Sequence, residues 1–241
     1  IASSERLAKP QAMHAAAAVA LVAAVPPGLR ALPWLPAGLE AAILTVGLVW
    51  FINLTNFMDG IDGITVVEMV PIATMLAVLS WMGALPAIVG ALALGLAGAL
   101  VGFAPYNRHV ARLFLGDVGS LAIGGLVGWM LILLATHGQL AAALILPMYY
   151  LADSGLTLYR RWRRGERLSE AHRSHVYQIA LQRGFAVPEI TARVLALNVV
   201  LAVLAGFAVR VPGLVAGSLA VATAALLTGL LLRHLERDAP Q

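Results

Sequence analysis

The sequence predicts an all-α protein: a polytopic bundle of about eight transmembrane helices in a single integral membrane domain over residues 1–241. Three observations carry that expectation. Apolar residues make up 61% of the chain and charged residues 12%, against about 45–50% and about 25% in soluble domains, and the mean hydropathy is +0.88. The apolar residues gather into runs near the length that crosses a bilayer, about 20 residues. The basic residues segregate to alternate connections between those runs.

Taken in order, the runs fall near 11–26, 39–56, 67–83, 85–103, 118–136, 139–158, 189–209 and 213–232. The first and third are short, and Pro86 separates the third from the fourth by very little. Of the 16 Lys and Arg, Arg30 and Arg210 lie on one side and the other fourteen on the opposite side. The positive-inside rule makes the richer side cytoplasmic, and a wrong number of spans would scramble the segregation. The pI near 10 therefore reflects residues beside spans, where anionic lipid headgroups rather than nucleic acid are the partner. With no cysteine there is neither a disulfide framework nor a thiolate site. No secretory signal is visible, and a chain opening on Ile1 suggests a start further upstream. The connectors of the far side are short and Pro-rich, with Pro26, Pro27, Pro33 and Pro36. Gly98-x-x-x-Gly102 and Gly124-Gly125-x-x-Gly128 fit close helix packing in lipid. Asn53-Leu54-Thr55 matches a glycosylation sequon, but its cytoplasmic placement argues against use.

The same parity puts three polar loops on the cytoplasmic side, near 53–66, 104–120 and 159–188. The first, Asn53-Leu54-Thr55-Asn56-Phe57-Met58-Asp59-Gly60-Ile61-Asp62-Gly63, holds Asp59 and Asp62 between long apolar runs. Carboxylates are costly beside hydrocarbon, so a pair kept there has a use. The second ends Phe114-Leu115-Gly116-Asp117-Val118-Gly119-Ser120. Asp117 either caps the following helix, whose N-terminus favours an anion, or ligates Mg²⁺, a hard ion that takes one or two carboxylates plus substrate phosphates. In the third, Arg160, Arg161, Arg163 and Arg164 read as a topology and lipid anchor. His172, Arg173, His175 and Tyr177 offer donors that could grip a diphosphate. Zinc fits less well, since cysteine is absent and the acids suit a harder metal. Asp153, at the end of its span, is expected to pair with Arg160 and Arg161.

Together the stretches Asn53–Gly63 (NxxNFMDGxDG), Asn107 to Ser120 ending FLGDVGS, and His172–Gln178 (HRSHVYQ) resemble the polyprenyl-phosphate N-acetylhexosamine-1-phosphate transferases. That membrane family includes the phospho-MurNAc-pentapeptide transferase. Order, spacing and sidedness all agree, over roughly residues 5–235. The resemblance implies an enzyme of the bacterial inner membrane whose site faces the cytoplasm. It implies transfer of N-acetylhexosamine-1-phosphate from a UDP-sugar to polyprenyl (undecaprenyl) phosphate, releasing UMP. It implies Mg²⁺ as cofactor, with Mn²⁺ as the alternative ion, held by Asp117. Asp59, Asp62, His172 and His175 become the expected catalytic set, and Asn53, Asn56, Asn107, Phe114 and Arg173 the expected substrate-binding set. Asp62, Asn107 and Phe114 match positions that hold the uracil ring, and Asn53 and Asn56 line the same cleft. HRSH is similar to the O-antigen-initiating branch, which places the reaction at the start of lipopolysaccharide or other cell-wall polysaccharide synthesis. A homodimer is compatible with the pattern. One departure stands out: the family carries an Asp-Asp pair just before the span that here begins near Gln11, and this chain starts past that point. The preceding spans are expected to be missing with it.

Two readings compete. A secondary transporter places its acids near mid-membrane on broken, repeated halves, whereas here they sit at span ends and no repeat is apparent. A non-catalytic remnant of the family is the other, kept open by the absent Asp pair.

Overall fold

A computed structural model describes residues 14–26, 28–167 and 173–237. Within them the chain is helical, with no strand. The helices are α1 (His14–Ala23), α2 (Ala37–Met58), α3 (Ile64–Trp81), α4 (Ala87–Asn107), α5 (Gly116–Thr136), α6 (Leu140–Ile145), α7 (Met148–Arg163), α8 (Val176–Gln182), α9 (Val187–Arg210) and α10 (Leu214–Leu235). Six of these, α2, α3, α4, α5, α9 and α10, are long and apolar enough to cross a membrane. The other two expected spans take different forms among the described residues: α1 is described over His14–Ala23, and the run 139–158 is divided into α6 and α7 around Pro147. Proline removes a helical donor and clashes with the preceding turn. The sixth run is thus two helices rather than one.

Glycine and proline set the other boundaries. Pro36 and Pro86 precede α2 and α4, and Pro188 lies in the first turn of α9. Gly63, at φ +79°, starts α3 in a left-handed conformation that a side chain would strain. The helix therefore begins at Ile64, earlier than the apolar run suggests. The third loop is also shorter than expected, because α7 continues to Arg163 and α8 occupies its second half.

The expected glycine packing holds for one pair and fails for the other. A Cβ on Gly124 of α5 would lie 2.9 Å from Thr55 Oγ1, and one on Gly128 would lie 2.5 Å from Leu48 Cδ1. These glycines let α5 seat directly on α2, the close approach that drives association in lipid. Gly98 and Gly102 have the same spacing, yet nothing among the described residues comes within 4 Å of a Cβ at either. In α4 the close approach is instead at Gly90, against Ser80 of α3. Helix α3 forms the centre of the bundle, packed on α4 and α9, with Met69, Ile72, Leu76 and Leu79 fully buried. The outer faces of α4 and α10 stay apolar and exposed, at Leu94, Val101, Leu219 and Leu226. A helix that is apolar all round needs lipid or protein on every side.

This arrangement brings the C-terminal ends of α2, α4 and α7 and the N-terminal ends of α3, α5, α8 and α9 to one face of the bundle. The three polar loops join them there, and hydrogen bonds between loops tie that face together.

Candidate active site at the polar face

The last turns of α2 supply the first polar groups. Asn53 turns back on its own helix and donates to the Val49 carbonyl at 2.8 Å. Asn56, one turn on, donates to Asp117 Oδ1 at 2.9 Å and to Ser120 Oγ at 2.9 Å. It can reach both because the glycine face of α5 has brought the two helices together. Asp59 follows the helix end, half-buried. Its Oδ1 accepts the Thr65 hydroxyl at 2.6 Å, and Thr65 Oγ1 lies 3.1 Å from Tyr150 Oη of α7. Burial pushes the Asp59 carboxyl above its ordinary range, and the Thr65 bond works in the opposite direction.

Gly60 is required by a neighbour rather than by its own backbone, since it is not among the residues at positive φ. A Cβ there would sit 2.0 Å from Tyr177 Oη, whose hydroxyl donates to the Phe57 carbonyl at 3.2 Å. Tyr177 belongs to α8, so the third loop rests directly on the turn that carries Asp59. Its burial pushes the phenol upward and keeps it a donor.

Asn107 and Asp62 join the first loop to the second. Asn107 is buried; its Oδ1 accepts the Gly63 N–H at 3.0 Å and its Nδ2 donates to the Leu113 carbonyl at 3.0 Å. Both ends of the amide are engaged within the protein, so Asn107 acts as a clasp between loops. Asp62 Oδ2 accepts the Ala111 N–H at 3.1 Å and lies 2.9 Å from His109 Nδ1. Phe114 projects from the same loop, 68% exposed. Asp117 is exposed in the first turn of α5, where the helix N-terminus favours its charge. Among the described residues Asn56 is the side chain that bonds to its carboxylate, and no three His, Asp or Glu side chains come together there as a metal cage. A single open carboxylate on an exposed face fits Mg²⁺, a hard ion that takes one or two carboxylates and completes its shell with phosphate oxygens and water.

The HRSH stretch divides. His172 lies outside the described residues. Arg173 is exposed, whereas His175 is 3% exposed, its Nδ1 3.2 Å from Asp153 Oδ1 and its ring stacked on Tyr177 at 5.8 Å. The expected pairing of Asp153 with arginines is corrected here. Asp153 is fully buried and accepts the backbone N–H groups of Val176 at 2.9 Å and Tyr177 at 3.4 Å. It holds the start of α8, while Arg160 pairs with Glu236 and Arg161 with Glu166 at 2.9 Å. The arginine run is therefore partly spent on internal contacts; the exposed members are Arg163, over the Tyr159 ring, and Arg164, 3.6 Å from Glu166.

Several residues of this face escape sequence reading. Thr65, Tyr150 and His109 are engaged as above. Behind them Glu68, fully buried in α3, accepts Asn198 Nδ2 of α9 at 2.6 Å and the Tyr150 N–H at 3.4 Å. An acid inside an apolar run was a usable signal. The tyrosine and threonine carried none.

The fold and site define a multi-pass membrane protein with three carboxylates, Asp59, Asp62 and Asp117, at one polar face at the ends of its spans. Comparison with known proteins gives the family. The profile of glycosyl transferase family 4 matches residues 7–135, and the chain belongs to that family. It is 37% identical over 108 residues to the phospho-N-acetylmuramoyl-pentapeptide-transferase of Enterococcus faecalis, covering 44% of this chain and 32% of that one. With the enzyme of the same name from Anaeromyxobacter sp. (strain K) it shares 31% identity over 182 residues, 66% of this chain and 46% of the relative. A third, from Staphylococcus haemolyticus, is 42% identical over 86 residues, covering 36% of this chain and 26% of the relative. The chain thus spans less than half the length of each of these relatives.

Proposed function

We propose that this chain forms the catalytic core of a transferase that moves N-acetylhexosamine-1-phosphate from a UDP-sugar to polyprenyl phosphate. An oxygen of the lipid phosphate attacks the phosphorus that carries the sugar. The bond to the UMP phosphate breaks, and UMP leaves. One observation carries the reading: Asp59, Asp62 and Asp117 stand at one polar face, at the ends of membrane spans, held by Thr65, His109 and Asn56. Such a site meets a water-soluble sugar nucleotide from one side and a lipid phosphate from the other. The names of the relatives support the reaction class.

Phosphoryl transfer is chiefly positioning and electrostatic stabilisation, and the roles follow from placement. Asp117, open and at a helix N-terminus, is the residue that would hold Mg²⁺. When bound, that ion neutralises diphosphate charge and stabilises the departing UMP. Asp59, half-buried at the end of the α2 span, orients the lipid phosphate and takes up its proton where one is present. Phe114, exposed above the loop, offers a ring face to uracil, and Asp62 an acceptor oxygen to its N–H. Arg173 faces solvent and balances diphosphate charge. His175 acts from beneath, fixing the loop that presents Arg173. The basic excess on this side supports a cytoplasmic position for this face. The HRSH stretch favours a UDP-N-acetylhexosamine donor and the first membrane step of an O-antigen or similar polysaccharide.

The test is incubation of the intact protein with radiolabelled UDP-GlcNAc, undecaprenyl phosphate and Mg²⁺. Organic-extractable label with equimolar UMP is expected, abolished by a chelator. Release of UDP instead would mean transfer of the sugar without its phosphate and would refute the assignment.

A further inference from the structure

We infer that Thr65 and Tyr150 are positioning residues for Asp59, two hydroxyls in series that fix its carboxylate and favour its ionised form. The inference rests on Asp59 acting at the reacting centre, as proposed above. The geometry assigns the direction of the series. An ionised carboxylate can only accept, so the 2.6 Å contact is donated by Thr65. The threonine hydroxyl has a single proton, which that bond uses. Its 3.1 Å contact with Tyr150 Oη is then donated by the tyrosine. Each hydroxyl is thereby oriented by the next, and neither adds charge.

The tyrosine is itself fixed. It is fully buried, and its backbone N–H donates to Glu68, which Asn198 holds at 2.6 Å. The series therefore starts on a frame of α3, α7 and α9 and ends on the turn after α2. Burial alone penalises the charged carboxylate, and the Thr65 bond is the contribution that opposes it. Other titratable groups near Asp59 are Tyr177 of α8, which feels its charge, and Glu68, one turn from Thr65 on α3. Asp117 is bonded to Asn56, one turn before Asp59 on α2, and Asp62 and His109 pair with each other on the turn and the second loop. None of these bonds to Asp59 among the described residues, so Thr65 is the group whose removal isolates the effect.

The experiment compares Thr65→Val, Thr65→Ser and Tyr150→Phe in the intact protein. Ionisation of Asp59 is read by infrared difference spectra against Asp59→Asn, a measurement that needs no turnover. Thr65→Val keeps the shape and loses the hydroxyl. It should raise the pH at which Asp59 ionises by about one pH unit, the effect of losing one hydrogen bond to a charged group. The acid limb of the kcat profile should move to higher pH by the same amount. At neutral pH kcat should fall roughly tenfold while KM for both substrates stays within about twofold, as expected when a reacting group is mispositioned. Thr65→Ser should restore both readouts, and Tyr150→Phe should move them the same way by less. The inference is overturned if the carboxyl titrates at the same pH in Thr65→Val and wild type. It is equally overturned if Thr65→Ser is displaced as far as Thr65→Val, which would mean that shape rather than the hydroxyl matters. Full transfer by Asp59→Asn would instead refute the proposed function, while the infrared titration would still decide the hydroxyl series.

Discussion

Replacing Gly60 with alanine tests the joint between the third loop and the Asp59 turn. The added Cβ would lie 2.0 Å from Tyr177 Oη and 3.0 Å from Tyr177 Cζ, and Tyr177 is fully buried. The tyrosine must retreat, giving up its bond to the Phe57 carbonyl. Overpacking costs about 1–3 kcal/mol and the lost hydrogen bond about 0.5–1.5 kcal/mol. Gly60→Ala should therefore destabilise by about 1.5–4.5 kcal/mol, measured by chemical unfolding in mixed micelles with tryptophan fluorescence. Because the clash is with the hydroxyl, Tyr177→Phe removes its closest atom. The double variant should be less destabilised than the sum of the singles by about 1–2 kcal/mol, the coupling expected of residues in direct contact. Additive effects, or a Gly60→Ala protein as stable as wild type, would refute the packing of Tyr177 on this turn.

Further outcomes follow from the same geometry. Asp117→Asn should lower turnover by at least about 100-fold with folding intact, since a bound ion supplies several kcal/mol at the transition state; near-normal turnover would leave Asp117 only as a charge at the N-terminus of α5. Gly128→Leu should force α5 from α2, because even a Cβ there would lie 2.5 Å from Leu48 Cδ1, with a loss of about 1–3 kcal/mol; Gly98→Leu, facing open space, should unfold like wild type. A cysteine replacing Arg164 should react with a membrane-impermeant thiol reagent only after the cytoplasmic face is opened, and one replacing the exposed Trp34 from outside intact cells. Labelling of the Arg164→Cys protein in intact cells would reverse the topology. Arg173→Ala should raise KM for the UDP-sugar far more than for the lipid phosphate.

The parts of this molecule legible in its sequence are those set by local chemistry. Glycine and asparagine punctuation between apolar runs locates the Asp59 turn, and the position of Asp117 between glycines at the mouth of an apolar run locates the start of α5. What escapes depends on which helix lies opposite. Gly98 and Gly102 repeat the spacing of Gly124 and Gly128, but only the second pair meets a neighbouring helix. His175 and Arg173 stand two residues apart in one polar stretch, and one is buried on Asp153 while the other is exposed. Thr65 and Tyr150 are separated by 85 positions, and nothing in either's surroundings announces the other. Asp153 illustrates the converse error. Nearby arginines offered an obvious partner, yet the start of α8 had unsatisfied backbone donors, and those claim the carboxylate.

Under the proposed reaction a sugar moves to the lipid together with its phosphate, and UDP-GlcNAc carrying ³²P only in the phosphate attached to the sugar follows that phosphate. After incubation of the intact protein with undecaprenyl phosphate and Mg²⁺, the label should move to the lipid fraction, and Asp59→Asn and Asp117→Asn should abolish the movement. Label retained in the nucleotide while sugar appears on lipid, or transfer undiminished in both variants, would contradict it.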